Sequence, residues 1–117
     1  DLKSVSPTLL WSYIGTKNGL ADWFADDVQN EEKLFTFFWN KSSQQAHQIA
    51  VRSGSYIRFH WLDDEDEKSF FELRISSSEL TGATMLVITD FAYPDEMADS
   101  RGLWDHQIET LRRKLGV

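Results

Sequence analysis

Apolar residues recur with helical spacing along the last stretch of the chain, Met97 to Gly116. Met97, Trp104, Ile108, Leu111 and Leu115 lie seven, four, three and four positions apart, which puts five apolar side chains on one helix face. Asp95, Glu96 and Asp99 crowd the N-terminal end, and Arg112, Arg113 and Lys114 the C-terminal end, both suiting the helix dipole. Gly116 follows the last periodic residue and reads as the C-terminal cap. A helix from Asp99 to Leu115 is about 25 Å long at ~1.5 Å per residue. A seven-residue strand spans about 24 Å. One such helix covers a whole sheet.

Upstream, the period is shorter and more broken. Asp1 to Val5 reads as the end of a short strand. Ser6-Pro7 then starts a helix, with a capping side chain followed by proline at the first helical position. Leu10, Tyr13 and Ile14 share its face, and Gly15 stops it. Thr16 opens a second short helix with Leu20, Trp23 and Phe24 on one side. Helices this short need a surface to pack on.

From Asp27 the period becomes two. Asp27 to Gln29 is a weak strand that turns at Asn30-Glu31-Glu32. Lys33 to Trp39 sets Phe35, Phe37 and Trp39 against Leu34, Thr36 and Phe38. After a turn at 40–43, Gln45 to Arg52 alternates His47, Ile49 and Val51 against Gln48, Ala50 and Arg52. Ser53-Gly54-Ser55 turns into Tyr56 to Leu62, where Ile57, Phe59 and Trp61 oppose Tyr56, Arg58 and His60. The acidic loop Asp63 to Glu67 leads to Ser69–Ser76, with Phe71, Leu73 and Ile75 on one side. Leu80-Thr81-Gly82 turns into Thr84 to Phe91, apolar on both faces in its middle and so expected to be central or covered twice. Connections of hairpin length imply an antiparallel meander.

The strands flanking the acidic loop admit two registers. With Arg58 opposite Glu72, Ile57 meets Leu73 and Phe59 meets Phe71, so one face is apolar and the other charge-paired. With His60 opposite Glu72, Arg58 meets Arg74. The first is preferred. The fold class is therefore α+β: a curved antiparallel sheet of six to seven strands wrapped on a long C-terminal helix, with two short helices after the first strand.

Composition narrows the function. A chain of 117 residues makes one domain, 1–117, with a strongly aromatic core drawn from eight Phe, five Trp and three Tyr. Twelve basic against nineteen acidic residues leave a net charge of −7, which disfavours nucleic acid and anionic membranes. No apolar run approaches a membrane span, so no stable membrane insertion is expected. Cysteine is absent, which excludes disulfides and thiolate ligands and fits a cytoplasmic protein.

The order of elements resembles the helix-grip fold of the START-like superfamily, which includes polyketide cyclases and birch-pollen-allergen proteins. The residues that carry the likeness are Pro7 to Trp11, Gly19 to Phe24, Tyr56 to Trp61, Phe71 to Ile75, Leu80-Thr81-Gly82 and Ile88 to Ala92 before the Trp104 helix. Within that superfamily the chain looks like the Aha-type branch, homologues of an activator of a heat-shock chaperone's ATPase. It is similar in particular to small stand-alone proteins of Bacteroidetes-type bacteria. The first strand is short for this fold, which implies a native start further upstream.

The resemblance implies a cavity between sheet and helix. Its candidate lining is Trp39, Phe59, Trp61, Phe71, Leu73, Trp104 and Ile108, rings that could equally fill the space they enclose. Asp90 is the candidate polar group: an apolar setting would raise its pKa for acid–base work, while a carboxylate just before a helix more often caps nearby N–H groups. Arg58, Glu72 and Arg74 read as outer-face ion pairs, or, with parity inverted, as a site for an anionic head. His47, His60 and His106 lie on separate elements without metal-ligand spacing, so neither a metal nor another cofactor is expected. The acidic loop lacks the spacing of a calcium loop and reads as a solvated hairpin tip.

Three functions follow in order. The first is a non-catalytic domain that binds an apolar or amphipathic small molecule or lipid. The second is an Aha-type module that contacts a protein partner through an exposed aromatic patch around Trp11 and Trp23. The third is a cyclase- or hydrolase-like enzyme using Asp90, His60 or Tyr13. A monomer and a homodimer are both compatible with the sequence.

Overall fold

In a computed structural model, residues 5–66, 68–91 and 94–116 are described. The chain forms α1 (Pro7–Ile14) and α2 (Lys17–Trp23), and then six strands. These are β1 (Asp27–Glu31), β2 (Leu34–Trp39), β3 (Ser42–Arg52), β4 (Tyr56–Trp61), β5 (Phe71–Ser77) and β6 (Thr84–Thr89). A 3₁₀ turn at Pro94–Glu96 leads into α3 (Met97–Leu115). The expected strand at the start of the chain falls largely outside the described residues.

Local chemistry accounts for the helix ends. The Ser6 hydroxyl accepts the Leu9 N–H at 3.1 Å and Thr16 accepts that of Gly19 at 3.0 Å, each satisfying a first-turn donor. Gly19 has a second role: a Cβ there would overlap the Ser12 carbonyl oxygen, so its missing side chain lets α1 and α2 cross in contact. At the far end, Gly116 takes φ 80°, and its N–H reaches the carbonyls of Arg112 and Arg113.

The strands pair in chain order, β1-β2-β3-β4-β5-β6, with every pairing antiparallel. Arg58 lies opposite Glu72, Ile57 opposite Leu73 and Phe59 opposite Phe71, the preferred register. One sheet face contributes Phe35, Phe37, Ile57, Phe59, Phe71 and Leu73 to the core, none more than 5% exposed. Leu10 and Ile14 of α1, Leu20 and Trp23 of α2 and Leu111 of α3 complete the same cluster. This is the α+β helix-grip arrangement.

Two strands depart from the sequence pattern. In β3 a bulge between Gln48 and Ala50 breaks the alternation, so Gln48 pairs with Phe59 while Ala50 pairs with Arg58. Ile49 is the extra residue and is 51% exposed. Strand β6, expected to be central, stands at the end of the sheet and pairs with β5 alone among the described residues. Its Val87 is 38% exposed: the second apolar face is not covered by another layer there.

Candidate functional site

Of the seven residues expected to line a central cavity, three belong to the buried core cluster. Phe59, Phe71 and Leu73 are at most 1% exposed, and the rings interlock. Phe71 stacks on Phe59 at 5.1 Å and on Trp61 at 4.9 Å between centroids, and Phe24 meets Phe37 edge-on at 5.1 Å. Trp39 and Trp61, half-buried, approach to 6.3 Å. The aromatic side chains occupy the middle of the sheet–helix space themselves.

Trp39 and Gln107 have a clear structural task. Trp39 Nε1 and Gln107 Nε2 both donate to the Phe24 carbonyl, at 3.0 and 2.9 Å, and so tie the end of α2 to β2 and α3. Trp39 borders two shallow hollows, one of about 420 Å³ between α2 and α3 and an open one of about 520 Å³ over residues 39–43.

A better-formed cleft opens where β6 ends and α3 begins. Its volume is about 450 Å³. Ile88, Asp90 and Phe91 form the sheet side; Met97, Ser100, Arg101, Trp104, Asp105 and Ile108 form the helix side. Trp104 and Ile108 are thus the two expected lining residues that border this cleft. Between these walls the Trp104 indole donates to Asp90 Oδ2 at 2.8 Å, while Asp90 Oδ1 accepts the Phe91 N–H at 2.8 Å. The carboxylate is held by these two donors. The first turn of α3 has no side-chain cap from Glu96, the residue in the cap position.

The cleft residues missed in the sequence are Ile88, Phe91, Met97, Ser100, Arg101 and Asp105 as a group. A signal was present. The apolar stripe of α3 skips from Met97 to Trp104, and the stripe positions between them hold Ser100 and Arg101. A seven-residue gap marks a helix half that does not press onto the core.

The charged trio sits on the opposite face of the sheet from α3, as its alternation with Phe71 and Leu73 requires. Glu72 accepts from Arg58 Nη2 at 2.8 Å and from Arg74 Nε at 3.1 Å. Hydrogen bonding to Arg74, with that to Arg58 added, holds its pKa below the ordinary carboxylate value against the opposing effect of burial. Both guanidinium groups also lie 4.3 Å over aromatic rings, Arg58 over Phe70 and Arg74 over Tyr56. These cations are already engaged.

The acidic loop closes on itself. Asp64 accepts from the Ser69 hydroxyl at 2.5 Å and the Asp66 N–H at 2.9 Å, which lowers its pKa, the Ser69 bond foremost. Glu67 lies outside the described residues. His60 Nδ1 donates to the Ser69 carbonyl at 2.9 Å. Among the described residues, no group of three His, Asp or Glu is placed to hold a metal ion.

Of the aromatic patch expected around Trp11 and Trp23, Trp11 is half-buried and Trp23 is buried. Trp23 is 5% exposed and donates from Nε1 to the Tyr13 carbonyl at 2.9 Å, because the close α1–α2 crossing folds it inward.

A helix gripped by an antiparallel meander, with a cleft at one end of the grip, defines a helix-grip α+β protein. The whole chain, residues 1–117, matches the START-like superfamily domain, and the protein belongs to that superfamily. A protein from Bacteroides fragilis solved by solution NMR is similar at 49% identity, with a TM-score of 0.64 over 97% of this chain and 85% of that one. The Aha1 dimer from Colwellia psychrerythraea shares the fold at 14% identity and TM-score 0.74, over 93% of this chain and 87% of that one. So does an uncharacterized protein from Bacillus thuringiensis, at 14% identity and TM-score 0.71, over 93% and 90%. Among functionally curated proteins nothing matches. No helix among the described residues is long and apolar enough to cross a membrane.

Proposed function

We propose that the protein is a non-catalytic bacterial binding domain of the cytoplasm that takes an apolar or amphipathic small molecule between β6 and the N-terminal half of α3. The observation that carries this reading is the cleft of about 450 Å³, of a size that suits a small ligand. Ile88, Phe91, Met97, Trp104 and Ile108 supply apolar wall, and Ser100, Arg101, Asp90 and Asp105 supply polar rim, so both ends of an amphiphile find a counterpart. The ligand sits at the edge of the sheet–helix space because rings occupy its middle. The absence of cysteine and the bacterial relatives support the location and origin.

The test is a titration of isotope-labelled protein with octanol, read by amide chemical shifts. Shifts concentrated at residues 88–91 and 97–108 are expected. Shifts scattered over the outer face of the sheet, or none at saturation, would end the proposal.

An Aha-type interaction role is the second reading. It draws on the fold shared with the Colwellia psychrerythraea protein, which is described as a dimer. Apolar side chains exposed on α1 and α3, Leu9 at 45% and Leu103 at 63%, offer contact area. A homodimer in solution by sedimentation equilibrium would favour this role. A strict monomer that ignores octanol and captures no partner would remove it.

A further inference from the structure

We infer that the cleft selects amphiphiles with a cationic amine head over neutral or anionic ones, and that Asp90 and Asp105 make the selection. This inference rests on the cleft being a ligand site and adds the chemistry of its occupant.

The first argument is geometric. Asp90 is anchored by two donors, the Trp104 indole and the Phe91 amide, so its position is set before any ligand arrives. A carboxylate offers about four acceptor positions. Among the described residues two are used, and the carboxylate stands beside the apolar surface of Ile88 and Trp104. A bound ammonium would donate to the carboxylate while its alkyl chain lay along Ile88, Trp104 and Ile108.

The second argument is electrostatic. Between residues 90 and 105 the chain carries Asp90, Asp95, Glu96, Asp99 and Asp105 against Arg101 as the opposing charge. The positive end of the α3 dipole, which would favour an anion, is met by its own Asp95, Glu96 and Asp99. The whole molecule is at −7, so the long-range field also draws cations. Arg101 is exposed, and it forms no ion pair within 4.0 Å among the described residues. A long, exposed arginine must be immobilised to hold an anionic head, whereas the carboxylate is already in place.

Octylamine, octanol and octanoate carry the same chain and differ in the head, so titrating the full chain with each by amide chemical shifts isolates the selection. Octylamine is expected to bind roughly tenfold more tightly than octanol, the scale of a charge-assisted hydrogen bond. Octanoate is expected to bind most weakly, and rising salt should narrow the gap. Asp90→Asn should lower the amine preference while its carbonyl can still accept from Trp104. Asp105→Asn, which leaves that contact untouched, should lower it independently. Octanoate binding in the cleft as well as or better than octylamine overturns the head-group selection and leaves the cleft reading intact. An amine preference unchanged in both variants also overturns it. Failure of all three compounds to perturb residues 88–91 and 97–108 overturns the cleft reading itself.

Discussion

The two halves of α3 face the same sheet and do opposite things. In the C-terminal half, Leu111 is completely buried, and Ile108 and Leu115 pack against the core cluster. In the N-terminal half, Met97 is 49% exposed and Leu103 is 63% exposed, and the space beneath the first turns is a cleft. Trp104 is the joint between them. Its ring stacks on Phe24 at 5.6 Å on the core side, and its N–H goes to Asp90 on the cleft side. One helix thus serves as a lid for the core over one half and as a wall of a site over the other. The difference follows from spacing: apolar residues recur every three or four positions from Trp104 onward, while the stripe positions between Met97 and Trp104 hold Ser100 and Arg101.

Truncation is the strongest way to break the comparison. Leu111→Ala should cost about 2–5 kcal/mol, since it empties a fully packed position. Met97→Ala, half exposed to begin with, should cost less than about 1 kcal/mol. Urea unfolding of the pair measures both, and equal losses would contradict the division of the helix.

Acid should act on the far side of the sheet and spare the division. Glu72 has a lowered folded-state pKa, so its ion pairs contribute fully above the ordinary glutamate range. That contribution disappears as pH falls through the depressed value. Arg58 and Arg74 are about a third or more exposed, so solvent screening keeps the contribution near 1 kcal/mol. Glu72→Gln should flatten the acid limb of a stability–pH curve, and an unchanged limb would remove Glu72 from it.

Trp104→Phe sharpens the comparison with the smallest expected effect. It keeps an aromatic ring but deletes the bond to Asp90, which is exposed and contributes about 1 kcal/mol or less. Thermal unfolding should move slightly, while the shifts that octanol induces at Asp90 and Phe91 should fall more. The reverse ranking would make Trp104 a purely structural residue.

Much of the architecture was legible. The α3 period, its Gly116 cap and the Ser6 and Thr16 caps are local features, and each appears where the residues call for it. The alternation of β2, β4 and β5 identified Phe35, Phe37, Ile57, Phe59, Phe71 and Leu73 as one face, and charge pairing selected the Arg58–Glu72 register. The site was harder to read. The seven candidate lining residues were chosen for facing inward, and facing inward does not distinguish a cavity wall from a core.

What the sequence determined by itself is therefore which face of α3, β2, β4 and β5 turns away from water, because a period of two or 3.6 is a property of neighbouring residues. The tertiary structure decided how much room those faces leave. Phe24 and Trp104 stack although they are far apart in the chain, and Phe24, Phe37, Phe59, Trp61 and Phe71 interlock from four different segments. The same holds for the bulge at Gln48–Ala50 and the place of β6 at the end of the described strands, which depend on partners across the sheet. Volume is what remains after distant side chains have packed, and no local pattern encodes that remainder.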